Sequence, residues 1–348
     1  MKNVYSRIDL SSFVTGSTEH TWQPTMSAET NVPSYWLNWR FFLCAVFVLT
    51  SLFLSSFLIW KYEQGLGKKR NRDDDDDDDR SELVEVVYDD ETWNTSVETI
   101  HPNWLLGFRV FGFVVLLGLI SGNAIADGAG IFIFYTQWTF TLVTIYFGVA
   151  ALVSINRFRF DDNEQRGVSA VDEEEQGSYR PPNVFKSSNG HERRNRSSRR
   201  QVATTFGYIH QILFQTCAGA VLLTDGVFWF IIYPFLTSKD FNLDFFIVIM
   251  HSVNAVFLLG ETFLNSLRFP LFRISYFVVW TGIFVLFQWI VHACVSFWWP
   301  YPFLDLSSSY APLWYAAVGL MHVPCFGIFA LIVKLKYMWI SRCFSEES

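Results

Sequence analysis

The chain has 348 residues, of which 51% are hydrophobic, 18% aromatic and only 17% charged, a balance too apolar for a soluble enzyme of this length. Its net charge of −7 equals the single aspartate run at 73–79, so the rest is neutral. No basic stripe interleaved with aromatics is present, which excludes nucleic acid as a partner.

Residues 1–40 form an N-terminal tail with no basic segment leading into an apolar core, so no cleavable signal peptide is expected. A membrane-crossing helix needs roughly twenty apolar residues to span about 30 Å of hydrocarbon. Seven stretches qualify: 41–60, 104–126, 131–155, 204–235, 245–266, 274–297 and 313–333. The expected fold is an all-α polytopic membrane helix bundle. The first span, 41–60, is followed by an acidic loop, 61–103, holding the aspartate run. Spans two and three occupy 104–155, and the second is the weakest because it carries Arg109. A charged loop, 156–203, precedes spans four to seven in 204–333, and 334–348 form a tail. Both long loops lack apolar periodicity and read as solvated and disordered. Cys44, Cys217, Cys294 and Cys325 lie within apolar stretches and read as packing residues, in neither a disulfide framework nor a metal-ligand spacing.

Cytoplasmic loops retain Lys and Arg irrespective of their acids. Of the 26 basic residues, 21 fall on the side carrying 61–103, 156–203, 267–273 and the C-terminus, 4 fall on the other side, and Arg109 lies within a span. The N-terminus is therefore expected outside or luminal and the C-terminus cytosolic, in an endomembrane such as the ER or in the plasma membrane.

Polar residues at membrane depth are costly unless they face the bundle interior. At 100° per residue, Asp244, His251, Asn254, Glu261, Thr262 and Asn265 of the fifth span fall within about 100° of one another, and Thr281, Gln288 and His292 of the sixth within about 40°. The fourth span adds His210, Gln211, Gln215 and Asp225, and the seventh adds His322. Together they imply an enclosed polar cavity. At 1.5 Å per residue, Thr139 lies roughly 12 Å and His251 roughly 10 Å below the outer surface; Asp225, His292 and His322 fall in the same half. A Thr hydroxyl is a weak nucleophile that needs an adjacent base, usually a neutral imidazole. Thr139 and His251 are thus the candidate catalytic pair. Asn254, one turn away on the same stripe, is expected to orient the imidazole, and Glu261 to anchor the helix against its neighbours. Thr136, Thr139, Thr141 and Thr144 equally suit hydroxyls that bond back to helix carbonyls, and His292 and His322 suit structural contacts or cavity lining. No local HxxxH or HxxE spacing points to a metal, and no cofactor is expected.

The segment Met250-His251-Ser252-Val253-Asn254, with Glu261 ten residues after the histidine, resembles the Met-His…Glu helix of the androgen-induced and androgen-dependent membrane proteins. Gln137-Trp138-Thr139-Phe140 resembles that family's aromatic-rich helix start bearing a nucleophilic Thr, and Trp299-Pro300-Tyr301-Pro302-Phe303 resembles its Trp-x-Tyr-Pro loop. The three lie in the family's order, from about Asn103 to Tyr337, as a six-helix core preceded by one further helix. The Rolling stone branch and its plant multi-pass relatives, with long charged loops, are the most similar. This resemblance implies hydrolysis of fatty-acid esters of hydroxy fatty acids by Thr139 and His251, with membrane lipids as partners. The family's Lys-Tyr pair ahead of the Thr is absent, and Thr136 and Gln137 stand nearby instead. Two other classes stay open: a non-enzymatic membrane protein of adhesion, fusion or assembly, and a seven-span receptor or transporter. The latter lacks Asp-Arg-Tyr and Asn-Pro-x-x-Tyr signatures and any inverted repeat with Gly/Pro-broken helices.

Glycosylation or protease-protection mapping is expected to place 61–103 and 156–203 on one cytosolic face, leaving the sequons at Asn94 and Asn195 unmodified. A natural glycan on either asparagine would reverse the orientation.

Overall fold

Among the described residues, seven helices are long and apolar enough to cross a membrane: Trp39–Glu63, Pro102–Asp127, Tyr135–Phe158, Thr205–Leu236, Phe245–Leu264, Leu271–Cys294 and Ala311–Cys343. The computed structural model describes residues 28–70, 87–97, 99–175, 202–237 and 243–344. Among them there is no strand, only two isolated bridges, and the protein is an all-α polytopic membrane bundle. The aspartate run at 73–79 and the sequon at Asn195 lie outside the described residues.

The fourth span is the axis of the bundle and packs against the third, fifth, sixth and seventh. Its buried stretch from Phe214 to Asp225 is interrupted only by half-buried Leu222 and is rich in small side chains. A Cβ on Gly219 would come within 2.4 Å of Phe277 on the sixth span. Lipid tails give no hydrophobic drive for helix association, so close van der Waals approach over small residues supplies it. The first span uses the same device from the outside. It packs on the sixth and seventh spans, seating Leu52 over Gly282 and Phe47 over Gly319, while Phe53, 70% exposed, faces outward.

At the end of the bundle where the first span begins, here the N-terminal face, residues 28–38 are built into the fold. The Tyr35 hydroxyl donates to Asp305 Oδ1 at 2.8 Å and accepts from Trp299 Nε1 at 2.9 Å and Leu306 N at 3.0 Å. Burial, and then the Asp305 carboxylate, push this phenol well above the usual tyrosine range, so it stays a donor. Arg40 Nη1 bonds the Ser307 carbonyl at 2.7 Å, and Thr30 Oγ1 the His292 carbonyl at 2.9 Å. The last part of the expected tail is thus a latch on the loop between spans six and seven.

The opposite face corrects the loop expectation. Residues 87–97, read from sequence as solvated, fold back onto the bundle, and the short helix Asp89–Trp93 packs on the second, third and fourth spans. Ala203 N bonds the Val87 carbonyl and Ser96 N the Leu264 carbonyl, both at 2.9 Å, and Arg268 pairs with Glu91 at 2.7 Å. Backbone pairing and polar side-chain contacts, rather than an apolar stripe, hold this segment, and hydropathy does not register them. The helices also outrun the hydrocarbon: the first continues to Arg70, the third to Glu175 and the last to Phe344. Residues 334–344, expected as tail, belong to the last helix. Hydropathy marks where lipid ends, not where backbone hydrogen bonding stops.

Arg109 has a partner. Its guanidinium and the Glu261 carboxylate are both fully buried and meet at 2.7 Å. Tyr146 and Asn265 donate to the same carboxylate at 2.9 and 3.3 Å. Arg109 Nη1 bonds Ser154 Oγ at 2.7 Å and the Thr92 carbonyl at 3.0 Å. One cluster thereby ties the second, third and fifth spans to the folded-back segment. Beside it, Lys336 Nζ bonds the carbonyls of Thr262 at 3.0 Å and Asn265 at 2.5 Å, placing a cation on the unsatisfied carbonyls at the end of the fifth span.

Arg109→Leu or Glu261→Leu alone is expected to cost about 3–5 kcal/mol, because each leaves an uncompensated buried charge, while the double variant recovers most of the loss. Thermal and denaturant unfolding in detergent measure this; single variants as stable as wild type would show that the pair is not a structural tie.

Candidate functional site

At the N-terminal face the fourth and fifth spans are both irregular. The α-helix Thr205–Val227 passes into a π-helix, Phe228–Leu236, that contains Pro234. The fifth span, expected as one helix, is two: Phe245–Met250 and Val253–Leu264, interrupted at His251 and Ser252 without Gly or Pro. The interruption is held from outside the helix, since Trp229 Nε1 takes the His251 carbonyl at 2.7 Å. Asp244 caps the first piece by accepting from Ile247 N at 2.8 Å. The break resets the helical phase, so the expected single polar stripe is divided. Asp244 and His251 belong to the N-terminal face, and Glu261, Thr262 and Asn265 to the opposite one.

Between these irregular segments and the third and sixth spans lies a cavity of about 160 Å³. Phe246, Ile247, Met250, Phe284, Val285 and Val318 give it a mainly apolar wall, and Tyr301, Phe303 and Leu304 of the latched loop contribute to its rim. Its polar groups include Asn123, Asp127, Tyr135, Thr136, Gln137, Thr224, His251 and Thr281.

His251 is in this wall. Its imidazole stacks on Phe228, the first residue of the π-helix, with ring centres 3.7 Å apart and planes 6° from parallel. Its Nδ1 lies 3.8 Å from Asp225 Oδ1. Asn254, expected to orient the ring, has its Nδ2 3.5 Å from the same Oδ1.

Thr139 is fully buried, is not among the residues lining the cavity, and its hydroxyl lies 3.1 Å from that of Thr224. Thr136, one turn earlier, is in the wall, with its Oγ1 3.5 Å from the Tyr301 hydroxyl. Thr139 and His251 thus belong to one region but have different partners. Glu261 sits in the ionic cluster at the opposite face. His292 stacks on Trp299 at 3.7 Å, and its Nδ1 is 2.8 Å from the Gln288 carbonyl, which makes it a strut for the latched loop. His322 bonds Thr281, Nε2 to Oγ1, at 2.9 Å. Among the described residues no group of three His, Cys, Asp or Glu side chains is placed to hold a metal ion.

Phe228 and the Thr281–His322 contact are what the sequence reading misses. Each joins different spans, and periodicity within one helix carries no signal for either. Comparison of the chain with protein-family models, with curated proteins and with solved structures gives no significant match to any of them.

Proposed function

We propose that this multi-pass membrane protein hydrolyses fatty-acid esters, in the manner of the androgen-induced and Rolling stone-like membrane proteins, and that the cavity at its N-terminal face takes the acyl chain. One observation carries the reading: His251 stands in the wall of a mainly apolar cavity where the fifth span breaks, stacked on the residue where the fourth becomes a π-helix, with Asp225 3.8 Å from its Nδ1. Irregular backbone at membrane depth is tolerated only where protein or a cavity covers it, and π-helical turns recur at functional sites. An imidazole backed by a carboxylate can hydrogen-bond the polar end of an ester and exchange a proton with it. The distribution of basic residues turns this face outward or toward a lumen, and no cofactor is needed, water being the second substrate.

The reaction class does not depend on which threonine attacks. Thr139 acting with His251 requires the Thr139–Thr224 contact to break first. That same contact favours a second reading, in which the polar residues only hold helices together and the protein serves adhesion, fusion or assembly without catalysis.

A fluorophosphonate probe and a panel of long-chain esters, including esters of hydroxy fatty acids, separate the two on purified protein in detergent. Labelling and hydrolysis are expected, with turnover falling at least about a hundredfold in His251→Ala while thermal unfolding is unchanged. Wild-type protein that neither labels nor cleaves any ester overturns the hydrolase reading in favour of the non-enzymatic one.

A further inference from the structure

One threonine of the cavity wall is already in hydrogen-bond contact with a histidine behind it. Thr281 Oγ1, on the sixth span, is 2.9 Å from Nε2 of His322 on the seventh. The imidazole is oriented by its own helix, with Nδ1 3.0 Å from the Val318 carbonyl and 3.1 Å from that of Gly319. Carbonyl oxygens only accept, so Nδ1 carries the proton, Nε2 is an acceptor, and the Thr281 hydroxyl is its donor. Tyr135, whose hydroxyl is 2.8 Å from Thr281 Oγ1, then donates to that oxygen. The Phe277 carbonyl, at 3.2 Å, is the longer competing acceptor for the Thr281 proton. The Phe277 ring, 4.3 Å from the imidazole, covers one side of it.

Exposure divides the pair as catalysis requires. His322 is 4% exposed, whereas Thr281 and Tyr135 line the cavity. The other wall threonines commit their hydroxyls elsewhere: Thr136 to Tyr301, Thr224 to the Ala220 carbonyl and Thr237 to the Tyr233 carbonyl. A hydroxyl, a neutral imidazole in reach of it and a third group fixing that imidazole are the components of an activated nucleophile.

We infer that Thr281 is the attacking group and His322 its general base. The inference rests on the ester-hydrolase reading and reassigns both nucleophile and base, from Thr139 and His251 to Thr281 and His322, leaving His251 to hold the polar end of the substrate. Thr281 Oγ adds to the ester carbonyl carbon as its proton passes to His322 Nε2. The carbon–oxygen bond to the alcohol breaks, and the departing alkoxide takes that proton, leaving an acyl-Thr281 ester. Water then gives a proton to Nε2 while its oxygen adds to the acyl carbon. Thr281 leaves and recovers the proton, and the sum is ester plus water to carboxylic acid plus alcohol.

The test is mass-spectrometric location of the fluorophosphonate adduct on full-length protein in detergent, with ester hydrolysis and thermal unfolding followed in parallel. The expected adduct is on Thr281. Thr281→Val should abolish it, Thr281→Ser should retain it, and His322→Gln should slow labelling at least about a hundredfold. An adduct on Thr139 or Thr136, or labelling that survives Thr281→Val, overturns this assignment while leaving the hydrolase reading intact. If Thr281→Val does not fold, the wild-type adduct position and the labelling of Thr281→Ser decide. Wild type with no adduct and no ester cleavage overturns the hydrolase reading, and this inference with it.

Discussion

In hydrocarbon a polar group finds its partners within the protein or goes without them, and the Arg109–Glu261 pair shows how far this constraint shapes the bundle. A guanidinium and a carboxylate, both fully buried, have to meet, and meeting brings the second and fifth spans together around Tyr146 and Ser154 of the third. The spare donor of Arg109 reaches the Thr92 carbonyl, so the constraint extends beyond the spans into the folded-back segment. Lys336 satisfies the terminal carbonyls of the fifth span in the same place. The second half of that span is therefore fixed at the opposite face. Its first half is left to be set by other contacts.

Those contacts lie at the N-terminal face and are of another kind. Here the fifth span is broken, the fourth widens to a π-helix, Trp229 donates to the His251 carbonyl at the break, and Asp244 accepts from Ile247 N at the start of the span. A cavity follows from the geometry, because neither irregular segment packs as a regular helix would. Its rim is positioned at a distance. Tyr35 holds Asp305, Trp299 and Leu306 through one hydroxyl, and His292 stacks beneath Trp299. The residues before the first span thereby reach the site without lining it.

The spans were legible in the sequence because crossing a bilayer demands a property, a long apolar run, that each segment displays alone. The weakness of the second span was legible too, through Arg109, but its remedy was not. Glu261 lies 152 residues away, and only the assembled bundle pairs them. The polar stripe of the fifth span was half right for a physical reason: a 100° period assumes unbroken helix, and with no Gly or Pro near His251 nothing in the local sequence marks the break. His292, expected as a structural contact or cavity lining, serves the loop, with Trp299 stacked on it. The fold of 87–97 is not legible in the sequence because backbone hydrogen bonds and polar side-chain contacts, which leave no pattern in hydropathy, hold it.

The same rule of internal satisfaction separates the two threonines that could attack an ester. Thr224 donates to the Ala220 carbonyl at 2.7 Å, so its oxygen is the acceptor for Thr139, 3.1 Å away. That chain of hydrogen bonds ends at a backbone carbonyl, which cannot hold a proton, and no motion along it raises the nucleophilicity of either hydroxyl. The chain through Thr281 runs from Tyr135 into His322, and it ends at an imidazole nitrogen that can accept a proton and give it back. Both arrangements satisfy buried polar groups equally well, so packing alone does not choose between them. What distinguishes them is the chemistry of the terminal acceptor, and that is a property of the pair of spans rather than of any motif along one.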